Sequence, residues 1–142
     1  VWEEKNNLEV LEELTNALSL KRMSDLSGNH VEYRAQVGTV LGFGLFKDGE
    51  VGIQRAFMSK GSIIHPHFHP EWEIVIVYHG KLKFRYDSKE QVIGVNEYIV
   101  FANSEPHDAE ALEDTWMIAV TIPASEGYPN APSSKGQFSD AG

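Results

Sequence analysis

The sequence predicts an all-β domain, a sandwich or a closed barrel, preceded by a single α-helix. Three observations lead there. From Val31 to Pro123 short runs rich in Val, Ile, Phe and Tyr are separated by turn residues, with no helical stretch between them. Leucines recur at helical spacing only ahead of that region, at Leu8, Leu11, Leu14 and Leu18. The chain has 142 residues, 42% of them hydrophobic, which suits one domain with a substantial core.

Taken in order, residues 1–28 read as a helix and a linker. The helix spans 6 to about 22: Val10 flanks the leucine stripe, and Asn6 followed by Glu9 resembles a capping box. Glu9, Glu12 and Glu13 sit early and Lys21 and Arg22 late, which complements the helix dipole. Such a helix either covers one side of the barrel or serves as a linker or dimerisation element. Residues 29–123 read as the barrel. Candidate strands are 31–35, 38–46, 50–58, 62–68, 72–79, 81–87, 90–94, 97–101, 107–112 and 115–122. Asp48-Gly49 supplies the positive-φ chemistry of a tight hairpin, and His79-Gly80-Lys81 and Asp87-Ser88-Lys89 read as further turns. Residues 124–142 are rich in Pro, Gly and Ser and read as an extended tail.

Twelve Lys and Arg against 21 Asp and Glu leave a formal net charge of -9. That balance argues against nucleic acid and anionic membrane as partners, since both are polyanions. It leaves a small anionic ligand open, because a bound metal dominates the field inside a site. The absence of cysteine removes disulfides, thiolate nucleophiles and Cys-ligated clusters. The longest useful apolar run, Ile74 to Tyr78, is of strand length and far below the ~18 residues of a membrane span. No secretory signal is visible, so a cytoplasmic protein is expected.

The chemistry concentrates in Gly61-Ser-Ile-Ile-His65-Pro-His67-Phe-His69-Pro-Glu71-Trp-Glu73. Alternate residues of a strand face one side, so His67 and His69 point together. Glu73 lies past a corner, and the returning strand can bring its carboxylate to the two imidazoles. Two neutral imidazoles and a carboxylate form a natural face for a divalent transition metal. Buried together without a metal, they would be desolvated with no evident partner.

These residues resemble a known family. Gly61-x5-His67-x-His69-x3-Glu73-x6-Gly80 matches the first motif of the cupin superfamily, with every spacing kept. Asn96-x5-Ala102-x-Ser104-x2-His107 resembles the second, with Asn96, Ala102 and Ser104 where the family usually has Gly, Pro and Gly, and Ala111 where it has Asn. Those departures fall at turn positions and bear on loop geometry more than on ligation. The resemblance covers roughly residues 38–122. It implies a jelly-roll (double-stranded β-helix) barrel of the RmlC-like kind, with His67, His69, Glu73 and His107 as four ligands of one divalent metal: Fe, Mn, Zn or Ni. An open coordination position would then be left for water or substrate.

Other polar residues are weighed by strand parity. His65 shares parity with His67 and His69 and is a candidate ligand-binding group near the cavity mouth. Tyr86 alternates with Phe84 and Leu82, which should face inward, against Lys81, Lys83 and Arg85, which should face outward, and is thus a candidate to place a hydroxyl near a bound ligand. Of Trp116 and Met117 one should line the interior, and Trp116 is carried as the substrate-binding candidate. Gln54 and Arg55 pose the same choice. Glu71 is expected in solvent at the corner, His79 exposed beside its glycine, and His30 in a loop.

Two functions follow from different classes. One is a small metal-dependent enzyme, of the oxygenase, isomerase or lyase kind that the resemblance implies, acting on a small organic molecule. No separate nucleophile or acid/base pair stands out, so no catalytic residue is assigned. The other is a non-catalytic sensing domain, because His67 to Gly80 also resembles the effector-binding cupin domains of sugar-responsive regulators. Exposed edge strands in either case predict a homodimer.

Overall fold

The computed structural model describes residues 22–23, 30–33, 35–68, 70–103, 105–124 and 139–140; within its strands the side chains of Val31, His65, His67, Phe68, Ser139 and Asp140 lie outside the description. The expected helix at 6–22 falls almost wholly outside these residues. Eleven strands are described: β1 (His30–Tyr33), β2 (Val40–Lys47), β3 (Gly52–Met58), β4 (Ile63–Phe68), β5 (Trp72–His79), β6 (Lys81–Tyr86), β7 (Lys89–Gly94), β8 (Tyr98–Phe101), β9 (His107–Ala111), β10 (Thr115–Ile122) and β11 (Ser139–Asp140). Ten of them answer the ten expected strands. Among the described residues no helix is long and apolar enough to cross a membrane.

Two sheets face one another. The six-stranded sheet runs β1-β2-β3-β10-β5-β8 and the five-stranded sheet β11-β4-β9-β6-β7. All pairings are antiparallel. This is the jelly-roll barrel. β6 shows why the residues choose it. Leu82 and Phe84 are buried while Lys81 and Arg85 are exposed, the alternation of a strand with one face on a core. The core lies between the sheets, with Ala56, Met58, Val75, Val77 and Met117 from one and Leu82, Phe84, Ile93 and Ala109 from the other.

The outward faces differ. On the five-stranded sheet Lys83 meets Glu110 at 3.6 Å, and Arg85 meets Glu90 at 3.1 Å and Asp108 at 3.5 Å. Glu90 and then Asp108 hold the Arg85 guanidinium more firmly in its charged form. The exposed Arg85–Glu90 pair contributes little to stability. On the six-stranded sheet the outward side chains of β5, β8 and β10 are apolar, and Trp72, Ile76, Tyr78, Tyr98 and Val100 are exposed.

Turn chemistry differs from expectation in two places. The β2–β3 turn holds no positive-φ glycine at Gly49; instead the Asp48 carboxylate accepts from the backbone N–H of Glu50 at 2.8 Å and of Val51 at 2.9 Å. Asn96, standing where a cupin motif usually has Gly, adopts φ 70°, a left-handed conformation that Asn tolerates. The β6–β7 hairpin turns on Asp87 and Ser88, both at positive φ, as a tight two-residue loop demands. His30 opens β1 rather than lying in a loop, its ring 5.4 Å from Phe43.

Register sorts the barrel into two ends. Ser62, Gly80, Ala111 and the start of β10 at Thr115 gather at one end. His67, the register partner of His107, gathers at the other with Glu73, which pairs with Thr121.

Candidate metal centre

His107 opens β9, and its side chain is buried. Three contacts orient the ring. Its Nδ1 lies 2.9 Å from the backbone carbonyl of Glu105. A carbonyl only accepts, so Nδ1 carries the hydrogen and Nε2 keeps a lone pair. The Glu105 carboxylate accepts in turn from the Ala102 N–H at 3.0 Å, which closes the loop that presents the carbonyl. The third contact is Phe101, fully buried, whose ring stacks on the imidazole at 4.0 Å and 5°. Phe84 and Tyr86 meet Phe101 edge-on at 5.1 and 5.5 Å.

Glu73, near the start of β5, places Oε1 3.7 Å from His107 Nε2. That is too long for a hydrogen bond. Two donors each ~2.1 Å from one transition metal stand roughly 3.0–3.5 Å apart, so the pair is close to the spacing of two ligands of a shared ion. Neutral imidazole nitrogen and carboxylate oxygen are also the donor types such an ion takes. Glu73 and His107 therefore fit a metal. Among the described residues no group of three His, Asp or Glu side chains lies close enough to hold one. His69 and the His67 imidazole are outside the description; the His67 backbone sits directly across from His107.

Beside this pair opens a cavity of about 70 Å³. That is several times the ~10–15 Å³ that holds one water, and it suits a small molecule. Its polar lining among the described residues is Tyr33, Gln54, Glu73 and His107; the rest is apolar, including Met58, Phe84 and Met117.

The expected ligand-binding residues fare differently. Trp116 does not line the cavity. It lies on the outward face of the six-stranded sheet, its ring 4.9 Å from Phe57 and 5.9 Å from Phe43, and Met117 takes the inward position. Parity is the reason: Met117 pairs with Ala56 and Val77, both inward, and Trp116 with Phe57. Tyr86 is half-buried and packs edge-on against Phe101 instead of entering the cavity. His65 lies on β4 with its side chain outside the description. Gln54 faces inward; Arg55 faces outward, yet it is buried, over the rings of Phe43 and Trp116. Glu71, expected in solvent, is buried at the β4–β5 corner. His79 is exposed, as its place beside Gly80 suggested. Tyr33 as a lining residue and Phe101 as the imidazole's stacking partner were missed. Both lie on inward parity, but nothing in their local sequence distinguishes them from ordinary core aromatics.

The chain matches the cupin domain family over residues 55–123. No curated protein matches it. Among solved structures it is similar to an RmlC-like cupin from Shewanella frigidimarina, with 16% identity over 76% of this chain and 96% of that one and a TM-score of 0.63. It is similar to KdgF from Halomonas sp. at 18% identity, 66% and 89% coverage and a TM-score of 0.59. A cupin-like protein from Thermotoga maritima aligns at 19% identity, 69% and 80% coverage and a TM-score of 0.60. Likeness at such identities establishes the fold.

Proposed function

The chain matches the cupin domain family over residues 55–123 and folds as a cupin-type barrel, and from that premise we propose that its barrel holds one divalent transition metal through His67, His69, Glu73 and His107 and acts as a small metal-dependent enzyme on a small organic molecule. One observation carries this reading: His107 is buried with Nδ1 tied to a backbone carbonyl, and its Nε2 and the Glu73 carboxylate converge at 3.7 Å beside a cavity. The register supports it further, because the His67 backbone lies directly across from His107.

A bound iron, manganese, zinc or nickel ion would supply Lewis-acid or redox chemistry of the oxygenase, isomerase or lyase kind. The chain's own part is orientation. Glu105 and Phe101 hold the His107 imidazole in one tautomer and one plane, as the partners of a metal-ligating histidine do. The apolar wall keeps bulk water from a ligand lying against it.

A second reading, a sensing domain without catalysis, draws on that same wall. Apart from Glu73 and His107, the described lining offers only Tyr33 and Gln54 as polar groups, and neither is an acid or base near neutral pH. The reading also includes a homodimer, supported by the exposed apolar side chains of β5 and β8 and by the position of β8 at a sheet edge.

The test is metal content by plasma mass spectrometry on protein purified without chelator or His tag, beside a His67→Ala/His69→Ala variant. About one ion per chain is expected, and its loss in the variant. No metal even after reconstitution overturns the reading and leaves a cupin-shaped binding module. With metal present, saturable ligand binding without turnover selects the sensor over the enzyme.

A further inference from the structure

The cavity has a second polar feature that the metal reading leaves unused. Tyr33 on β1 is buried, and its hydroxyl donates to Gln54 Oε1 at 2.5 Å. Gly42 lies beneath this contact. A Cβ there would stand 2.4 Å from Tyr33 Cε2 and 2.6 Å from Gln54 Oε1, so only glycine lets the tyrosine cross to the glutamine. The bond engages the oxygen of the carboxamide and leaves the Nε2 hydrogens to point elsewhere. Among the described residues no acceptor takes them, and Gln54 lines the cavity.

Register places this group relative to the metal end. Gln54 pairs with Ala119, which pairs with Val75; the next row out is Gly52, Thr121 and Glu73. Gln54 and Glu73 are thus two strands and one inward row apart on one inner face, roughly 12 Å between their backbones. The wall between them is apolar, and no Lys or Arg occurs in the described lining. An anionic group at the Gln54 end would be buried without a counter-charge, at high cost. A neutral oxygen there would accept from Gln54 Nε2 at no such cost.

We infer that Gln54, held by Tyr33 over Gly42, is a second anchor that selects a bifunctional ligand: an oxygen donor for the metal end, a short apolar body, and a neutral hydroxyl or carbonyl oxygen at the far end. Subtracting a metal–oxygen bond of ~2 Å and a hydrogen bond of ~3 Å from ~12 Å leaves about 7 Å between the ligand's two oxygens, the span of a chain of about four or five carbons. The inference rests on the proposed metal site between Glu73 and His107.

The probes are 5-hydroxypentanoate, pentanoate and glutarate, titrated calorimetrically into protein with one bound metal per chain. The hydroxy acid is expected to bind about tenfold tighter than pentanoate, the worth of one hydrogen bond made in an apolar site, and glutarate more weakly than either. Gln54→Leu should bring the hydroxy acid to the level of pentanoate while leaving pentanoate unchanged. Tyr33→Phe, which keeps the packing, should reduce the ratio by letting the carboxamide turn. Equal binding of hydroxy acid and pentanoate, binding of none of the probes, or an undiminished ratio in Gln54→Leu overturns the anchor while leaving the metal site standing. If the protein takes no metal, the function proposed above fails by itself, and metal-free protein then judges the anchor. In that case pentan-1-ol should shift the Gln54 side-chain amide resonances in a nitrogen-15 spectrum, and no shift overturns it.

Discussion

At one end of the barrel the buried polar groups meet one another at hydrogen-bond distance; at the other Glu73 and His107 stand 3.7 Å apart. Thr115 donates to or accepts from the backbone of Lys81 and Glu113 at 2.8–3.1 Å, and Ser62 bonds Thr39 and Ser59 at 2.6–3.0 Å. Both residues are fully buried. Glu73 and His107, at the opposite end, come no closer to each other than 3.7 Å, beside a cavity. The difference separates two uses of a buried polar group. At the first end hydroxyls tie loops to strands and complete the fold. At the second, two donor groups held by other contacts stand at a separation that would suit a shared cation.

The contrast is broken most sharply by Gly80→Ala. Gly80 has φ 92°, and a Cβ there would meet the Asp114 carbonyl oxygen at 2.4 Å. A stability loss on the order of 3 kcal/mol is expected in denaturant titration, with metal stoichiometry kept in the folded fraction. Loss of metal from protein that remains folded would show the two ends to be coupled. Glu73→Gln should do the reverse. It preserves shape and removes a charge, so metal affinity should fall at least tenfold while the metal-free protein changes by about 1 kcal/mol or less. A large destabilisation with unchanged metal uptake would move Glu73 into the structural class.

The smallest effect concerns Asp48, in the exposed β2–β3 turn. The N–H groups of Glu50 and then Val51 hold its carboxyl below the usual value. A carboxyl depressed in the folded state adds stability above its unfolded pKa and loses it as the pH falls through the folded pKa. The melting temperature of Asp48→Ala should therefore lie slightly below that of the wild type at neutral pH, and the gap should close in acid. A gap that persists or widens at low pH would show that the carboxylate does not hold the turn.

Much of the barrel was legible before the structure. Ten of the eleven described strands answer the ten expected ones, and the alternation is plainest in β6, with Leu82 and Phe84 against Lys81 and Arg85. Legibility ended where both faces of a strand are alike. Around Trp116 and Met117, and around Gln54 and Arg55, apolar side chains occupy both faces, so alternation carries no direction. The choice between Trp116 and Met117 therefore stays open in the sequence, and Trp116, carried as the ligand-binding candidate, lies outside. Asn96 and Ala102, departures from the family's turn residues, raised a question about loop geometry that the chain resolves locally. Asn96 adopts the left-handed conformation, and the Glu105 carboxylate closes the loop on the Ala102 N–H.

The sequence by itself determined the fold class, the resemblance to cupins and the expectation that Glu73 and His107 meet. Motif spacing and strand alternation are properties of the chain read along its length. Only tertiary structure decided that Phe101 and the Glu105 carbonyl orient the His107 ring, that Trp116 turns outward, and that Tyr33 reaches Gln54 across Gly42. The physical reason is common to all three. Each depends on which residues lie opposite one another across strands or sheets, and that register is set by packing of the whole barrel.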